Sequence, residues 1–193
     1  MWNCNIYSWG LTWIDLYVEL SRYPKDKFDR IWETNINSDY SSSVSSREPI
    51  SSNNTKNLPP NDVMQTAWVM NMDDHDFWLP TDSSYKSLLL LYFAEIEMLN
   101  IPRSFYVTRN GEWSSETITL VRNYSTLELS FISNETTNFK FHLLKATDST
   151  SRPIINAFEY YTLHDTAQPT YSQDSKCLIK LVMLKLVVLE SNV

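Results

Sequence analysis

The 193-residue sequence predicts an all-β fold, a sandwich or barrel of short strands. Three observations carry that prediction. The middle of the chain alternates apolar and polar residues with period 2, Asn, Asp, Ser and Pro break it about every ten residues, and few segments claim a helix. A hydrophobic share of 42% is enough for one sizeable core.

Taken in order, residues 22–33 hold at most a helical turn, and the Ser/Asn/Pro-rich stretch 38–60 reads as a long surface loop. "DVMQTAWV" (62–69) is a strand candidate. "MDDHDFW" (72–78) reads as a solvated acidic loop: Asp74 and Asp76 would share a face if extended, but a single His75 among carboxylates lacks the spacing of a calcium loop. No metal and no cofactor are assigned. "LLLLYFAEI" (88–96) is apolar on both faces, as in a strand covered on both sides. The only Asn-Gly pair, Asn110-Gly111, tolerates the positive φ angles of a hairpin tip. "TLELSFI" sets Leu127, Leu129 and Phe131 against Glu128 and Ser130. "NFKFHLL" sets Phe139, Phe141 and Leu143 against Lys140 and His142.

The stretch "SRPIINAFEYYTL" (151–163) fits a helical repeat at Ile154, Ala157, Phe158 and Tyr161, yet its β-branched and aromatic residues favour a strand. As one strand it places Ile155, Ala157, Tyr161 and Leu163 on one face and Ile154, Phe158 and Tyr160 on the other. Both faces are then covered, the outer one by a further lobe, and Asn156 and Glu159 point opposite ways. The apolar run 177–189 is shorter than the ~20 residues of a membrane span. It reads as a strand, a packed helix or a feature of the chain end.

Composition excludes whole classes of function. A net charge of −7 and a pI near 4.9 repel phosphate, so nucleic acid is not an expected partner. Only Gly10 and Gly111 occur, where average usage of ~7% gives about thirteen. A dinucleotide-binding motif needs three, and the P-loop and nucleophile-elbow motifs need two close together, whereas these two lie about a hundred residues apart. Cys4 and Cys177 allow one disulfide at most and no four-cysteine zinc site. The first twenty residues lack the basic start of a signal peptide.

Five segments, in order, resemble plant malectin-like domains: "RYPKDKFDRIW" (22–32), "PPNDVMQTA" (59–67), "YFAEIEML" (92–99), "SFYVTRNGEW" (104–113) and "FKFHLLKATDSTSRPIINAFEYYTL" (139–163). The resemblance implies a malectin-like jelly-roll β-sandwich, the second of two tandem lobes in ectodomains of receptor-like kinases, often of the leucine-rich-repeat type. It divides the chain into an atypical N-terminal segment (1–21), the malectin-like domain (22–168) and an atypical apolar tail (169–193). It further implies a non-catalytic recognition module at the extracellular face of the plasma membrane. The implied partners are a cell-wall carbohydrate or a secreted peptide, together with a first malectin-like lobe or a co-receptor. A receptor fragment without independent ligand binding is the alternative.

A more remote alternative is a carbohydrate-active enzyme using Glu95, Glu97 or Glu159, because glycoside hydrolysis needs two carboxyls across a cleft. The fold-bearing reading of these residues is preferred. Sugar faces stack on aromatic rings, which makes Trp68, Trp78, Tyr85 and Trp113 ligand-binding candidates near strand ends or loops, against a role in packing. The N-x-[ST] triplets at Asn53, Asn123 and Asn134 are about as many as composition alone produces, and become glycan sites through the resemblance. His75, His142 and His164 form no catalytic spacing.

Overall fold

The computed structural model describes residues 19–22, 26–28, 30–34, 41–79, 86–110, 113–133, 139–163 and 179–185. In chain order these form β1 (Glu19–Arg22), β2 (Ile31–Thr34), β3 (Ser41–Ser45), a helical turn α1 (Asn61–Met64), β4 (Thr66–Met70), β5 (Asp74–Leu79) and β6 (Lys86–Phe93). Next come β7 (Arg103–Arg109), β8 (Trp113–Ser114), β9 (Ile118–Leu120), β10 (Leu127–Ser133) and β11 (Phe139–Lys145). β12 (Ile154–Ile155), β13 (Ala157–Leu163) and β14 (Ile179–Lys185) complete the set. The fold is all-β with little helix.

A six-stranded sheet runs β1-β2-β14-β13-β6-β10, and a five-stranded sheet joins β5-β11-β7-β8 with β9 also on β7. A third sheet has the order β12-β4-β3. Alternation decides which residues meet between the two larger sheets. Leu89, Leu91, Phe93, Phe158 and Tyr160 line one inner face, and Phe77, Phe105, Val107, Phe141 and Leu143 the other, all buried. Phe77 stacks on Phe141 at 4.4 Å, both rings meet Phe158 edge-on at 6.0 and 5.5 Å, and Phe93 lies 5.3 Å from Phe105. Each buried ring contributes about 1.5–3 kcal/mol through the apolar surface it removes from water.

Several expectations are corrected. Residues 62–69 are not one strand: Pro60 (φ −58°) opens α1, and its carbonyl accepts from Val63 and Met64 at 3.0 and 3.1 Å before β4 begins. The 38–60 loop contains β3, a serine-rich strand whose partner is the backbone of β4. The acidic stretch 72–78 is mostly β5, paired with β11 from Asp74 onward. The 88–96 strand stops at Phe93, because the Ala94 amide donates to Asn156 Oδ1 at 2.6 Å instead of to a neighbouring strand. Asn110 holds φ 48° at the end of β7, which pairs with β8 as the expected hairpin; Gly111 lies outside the described residues.

The 151–163 segment changes sheets. β12 pairs with β4 and β13 with β6 and β14, so the strand read as one is two, broken at Asn156. From the 177–189 run, Ile179–Lys185 is a strand in the six-stranded sheet. Among the described residues no helix is long and apolar enough to cross a membrane.

Candidate functional site

Glu159, 0% exposed, stands on the outer face of the six-stranded sheet beside its register neighbours on β6. Arg30 Nη1 donates to its Oε1 at 2.5 Å, Tyr92 Oη donates to the same oxygen at 2.7 Å, and Tyr161 Oη donates to Oε2. Arg30 Nε also meets Asp26, whose Oδ2 accepts from Trp32 Nε1 at 2.9 Å. Arg30 Nη2 donates to the Leu58 carbonyl at 2.9 Å. Around Glu159 this chain's own Asp26, Arg30, Trp32 and Leu58 thus supply the cover on the outer face.

Two carboxylates and one guanidinium share this dry site. Burial pushes the Glu159 carboxyl above its ordinary value, with Arg30 and the two phenols offsetting part of that. Burial opposes the Arg30 charge, but the Asp26 hydrogen bond and the Glu159 charge outweigh it and raise the guanidinium. Burial, then the Glu159 charge, pushes both the Tyr92 and the Tyr161 phenols well up. All three donors to the Glu159 carboxylate come from this chain's own side chains.

Glu95 is likewise buried, and the partly exposed Glu97 shares its cation. Arg103, 1% exposed, donates through Nε to Glu95 Oε2 at 2.8 Å and through Nη2 to Glu97 Oε2 at 2.6 Å, while Nη1 bonds the Arg152 carbonyl. Glu95 Oε1 also accepts from the Glu97 amide at 3.0 Å. This clamp fixes the two ends of the 94–102 loop. The three carboxylates weighed as catalytic residues are therefore distributed over two separate ion clusters. Arg30, Asp26 and Arg103 were missed in the sequence; the signal was an Arg four residues after an Asp in "DKFDR", too common to stand alone.

A second polar arrangement lies on the outer face of the five-stranded sheet, opposite Phe77, Phe141 and Val107. Asp76 and Thr108 are both register partners of His142. Lys140 Nζ meets Asp76 Oδ2 at 3.0 Å, and His142 lies 3.6 Å from Asp76 and 3.9 Å from Asp74, too far for hydrogen bonds. Asp76 Oδ1 and Thr108 Oγ1 are shielded from water and have no hydrogen-bond partner among the described residues. His75, edge-on to Phe77 at 4.7 Å, is pushed below its ordinary value by burial, against the pull of Asp76.

The sandwich and its locked carboxylates can be set beside known proteins. The family model described as "Malectin-like domain" matches residues 14–163. The chain belongs to the malectin-like domain family. A putative leucine-rich repeat receptor-like serine/threonine-protein kinase of Arabidopsis thaliana is 31% identical over 172 residues, covering 83% of this chain. The chain spans about a fifth of that relative, 19% of its length. Among solved structures, the ANXUR1 extracellular domain from Arabidopsis thaliana shares the fold with a TM-score of 0.58 and 12% identity, covering 72% of this chain and 44% of that one. A chain in the complex of plant peptide RALF23 with FER and LLG2 does so with a TM-score of 0.55, 15% identity and the same coverages.

Within this malectin-like domain the aromatic candidates separate. Trp68 sits in the middle of β4 rather than at a strand end, half-buried and stacked on Phe77 at 6.4 Å, with its Nε1 buried and unbonded. Trp78 is the register partner of Lys140, and Trp113 that of Arg109. Tyr85, Asn134, His164, Cys4 and Cys177 lie outside the described residues. Asn53 and Asn123 are both exposed, and Asn123 Oδ1 accepts from the Ser125 amide at 3.2 Å and the Ser125 hydroxyl at 2.8 Å.

Proposed function

We propose that this chain is a non-catalytic recognition module, the second lobe of a tandem malectin-like receptor ectodomain on the extracellular face of the plasma membrane. The observation that supports it most is the pairing of Glu95, Glu97 and Glu159 with buried arginines in a chain that belongs to this family. Recognition then works through shape and hydrogen bonding on a rigid scaffold, without bond-making chemistry. The ligand is a secreted peptide bound with a co-receptor, on the pattern of the solved RALF23, FER and LLG2 complex, or a cell-wall carbohydrate. Trp78, Tyr85 and Trp113 serve as proposed stacking residues for a sugar, and Asn53, Asn123 and Asn134 as proposed glycan acceptors.

The test is surface plasmon resonance of the purified chain against RALF23, with and without LLG2, and against cell-wall oligosaccharides. Saturable binding of at least one of these ligands is expected, and no turnover. Hydrolysis of an oligosaccharide that vanished in Glu95→Gln would overturn the reading.

A further inference from the structure

One end of the sandwich carries apolar side chains that the fold leaves in water. Met98 is 85% exposed, Ile101 50% and Val121 50%. β7 pairs antiparallel with β9, with Arg103 opposite Leu120 and Ser104 opposite Thr119. Ile101 and Pro102 run into β7 and Val121 and Arg122 run out of β9, so both segments leave the pair at the same end, and Met98 belongs to the loop that enters there. Loops with exposed apolar tips are usually loosely held, but this one is rooted at both ends by the Arg103 clamp on Glu95, Glu97 and the Arg152 carbonyl. An apolar cluster held in place at a loop end is the kind of surface that marks an interaction site.

Two further observations say what the surface takes. Among the described residues Arg122 has no carboxylate partner, although the chain carries seven more acidic than basic groups. Its Nε is shielded from water and unbonded, and its guanidinium lies 5.1 Å from the Tyr124 ring centre. Tyr124 holds that ring at φ 56°, a left-handed conformation unfavourable for an aromatic residue. The conformation is fixed by the Ser51 amide donating to the Tyr124 carbonyl at 2.7 Å and the Thr126 amide donating to the Ser51 carbonyl at 2.8 Å. The backbone is thus strained where it sets an aromatic ring against an unpaired cation.

We propose that Met98, Ile101, Pro102, Val121, Arg122 and Tyr124 form a docking surface for a partner protein segment that sets a carboxylate on Arg122 and an apolar side chain against Ile101 and Val121. Charge complementarity selects this occupant: a basic segment leaves the guanidinium unmet, and a neutral polyol leaves the apolar tip in water. The inference deepens the recognition reading and rests on it, giving the protein-ligand arm of that reading a place on the fold.

The experiment uses the full chain made in bacteria, which carries no N-glycan on the neighbouring Asn123. Its probes are three fluorescein-labelled decapeptide pools that differ only in a central Leu-Asp-Leu, Leu-Asn-Leu or Leu-Lys-Leu. Fluorescence polarisation is expected to show saturable binding of the Asp pool alone, weakened by salt and reduced about tenfold by Arg122→Gln and, separately, by Ile101→Ser. Both substitutions are at the surface, and unchanged thermal melting would show that the fold is retained. Equal binding of the three pools, or indifference to both substitutions, overturns the proposal. So does self-association in sedimentation that Ile101→Ser abolishes, since a second copy then covers the patch. If RALF23 or an oligosaccharide binds the wild type while the three pools bind equally, the recognition reading stands and this surface alone falls.

Discussion

Leu58, Asn110 and Tyr124 hold φ angles of 42°, 48° and 56° in a chain with two glycines. Each does local work with its backbone or side chain. The Leu58 carbonyl reaches Arg30, Asn110 Oδ1 accepts from the Lys140 amide at 2.8 Å, and Tyr124 lies against Arg122. Asparagine tolerates this region better than most residues because its short polar side chain bonds locally. Asn110→Ala should therefore cost about 1–2 kcal/mol more than Asn110→Gly in urea denaturation, since both lose the hydrogen bond but only alanine sets a Cβ against the backbone. The same scale governs Arg30. Arg30→Met leaves Asp26 and Glu159 buried without their cation and should lose about 3–5 kcal/mol at neutral pH. The sign with pH follows: Glu159, whose folded-state value is raised, contributes stability below its unfolded value and loses it as pH rises. The variant should regain part of its melting temperature on moving from pH 7 toward pH 5, where the wild type gains less.

Asn156 is the joint between two elements. Its Oδ1 accepts from the Ala94 amide, its Nδ2 donates to the Met64 and Thr66 carbonyls at 2.9 and 3.2 Å, and its own amide bonds the Tyr92 carbonyl at 3.0 Å. Asn156→Asp keeps the shape but removes the donor and turns an anion toward two carbonyls. It should cost about 2–4 kcal/mol in urea denaturation, and Asn156→Leu a similar amount, so that charge alone does not account for the loss. This joint also marks where sequence reading stops. β10 and β11 were legible because Leu127, Leu129 and Phe131, and Phe139, Phe141 and Leu143, alternate cleanly against polar residues. β3 was not, since Ser41–Ser45 owes its strand to the backbone of β4 and offers no pattern of its own. The break at Asn156 was invisible because the residues on both sides have equal strand preference, and the decision is made by partners in β4 and β6. Arg30 and Glu159 lie 129 positions apart, a pairing no local spacing can announce. The family segments, by contrast, were legible as a set.

At the scale of the whole molecule, the six-stranded sheet buries phenols that ionise readily once the chain unfolds. Tyr92 and Tyr161 have raised values in the folded protein, so the stability they contribute is complete below about pH 10, the unfolded value, and is lost as pH rises beyond it. Melting followed from pH 9 to pH 11 should show a falling midpoint. Absorbance at about 295 nm should show these two tyrosines titrating only with unfolding. Tyr92→Phe and Tyr161→Phe each start from a lower stability and show a shallower fall. A midpoint flat across that range in the wild type would contradict the buried phenol network.

The sheet order has a consequence for how the molecule comes into being. β14 is the latest described strand in the sequence, yet it sits inside the six-stranded sheet, antiparallel to β13 and parallel to β2, with Lys185 opposite Thr34. The β1–β2 hairpin, made before the other described strands of that sheet, meets them through the one made after all of them. Synthesis at about 5–20 residues per second leaves the hairpin waiting for roughly ten seconds or more before its neighbour exists. During that wait the open edge of β2, joined only near its end by that of β13, is the place where a chaperone, or a neighbouring copy, would find the nascent chain first.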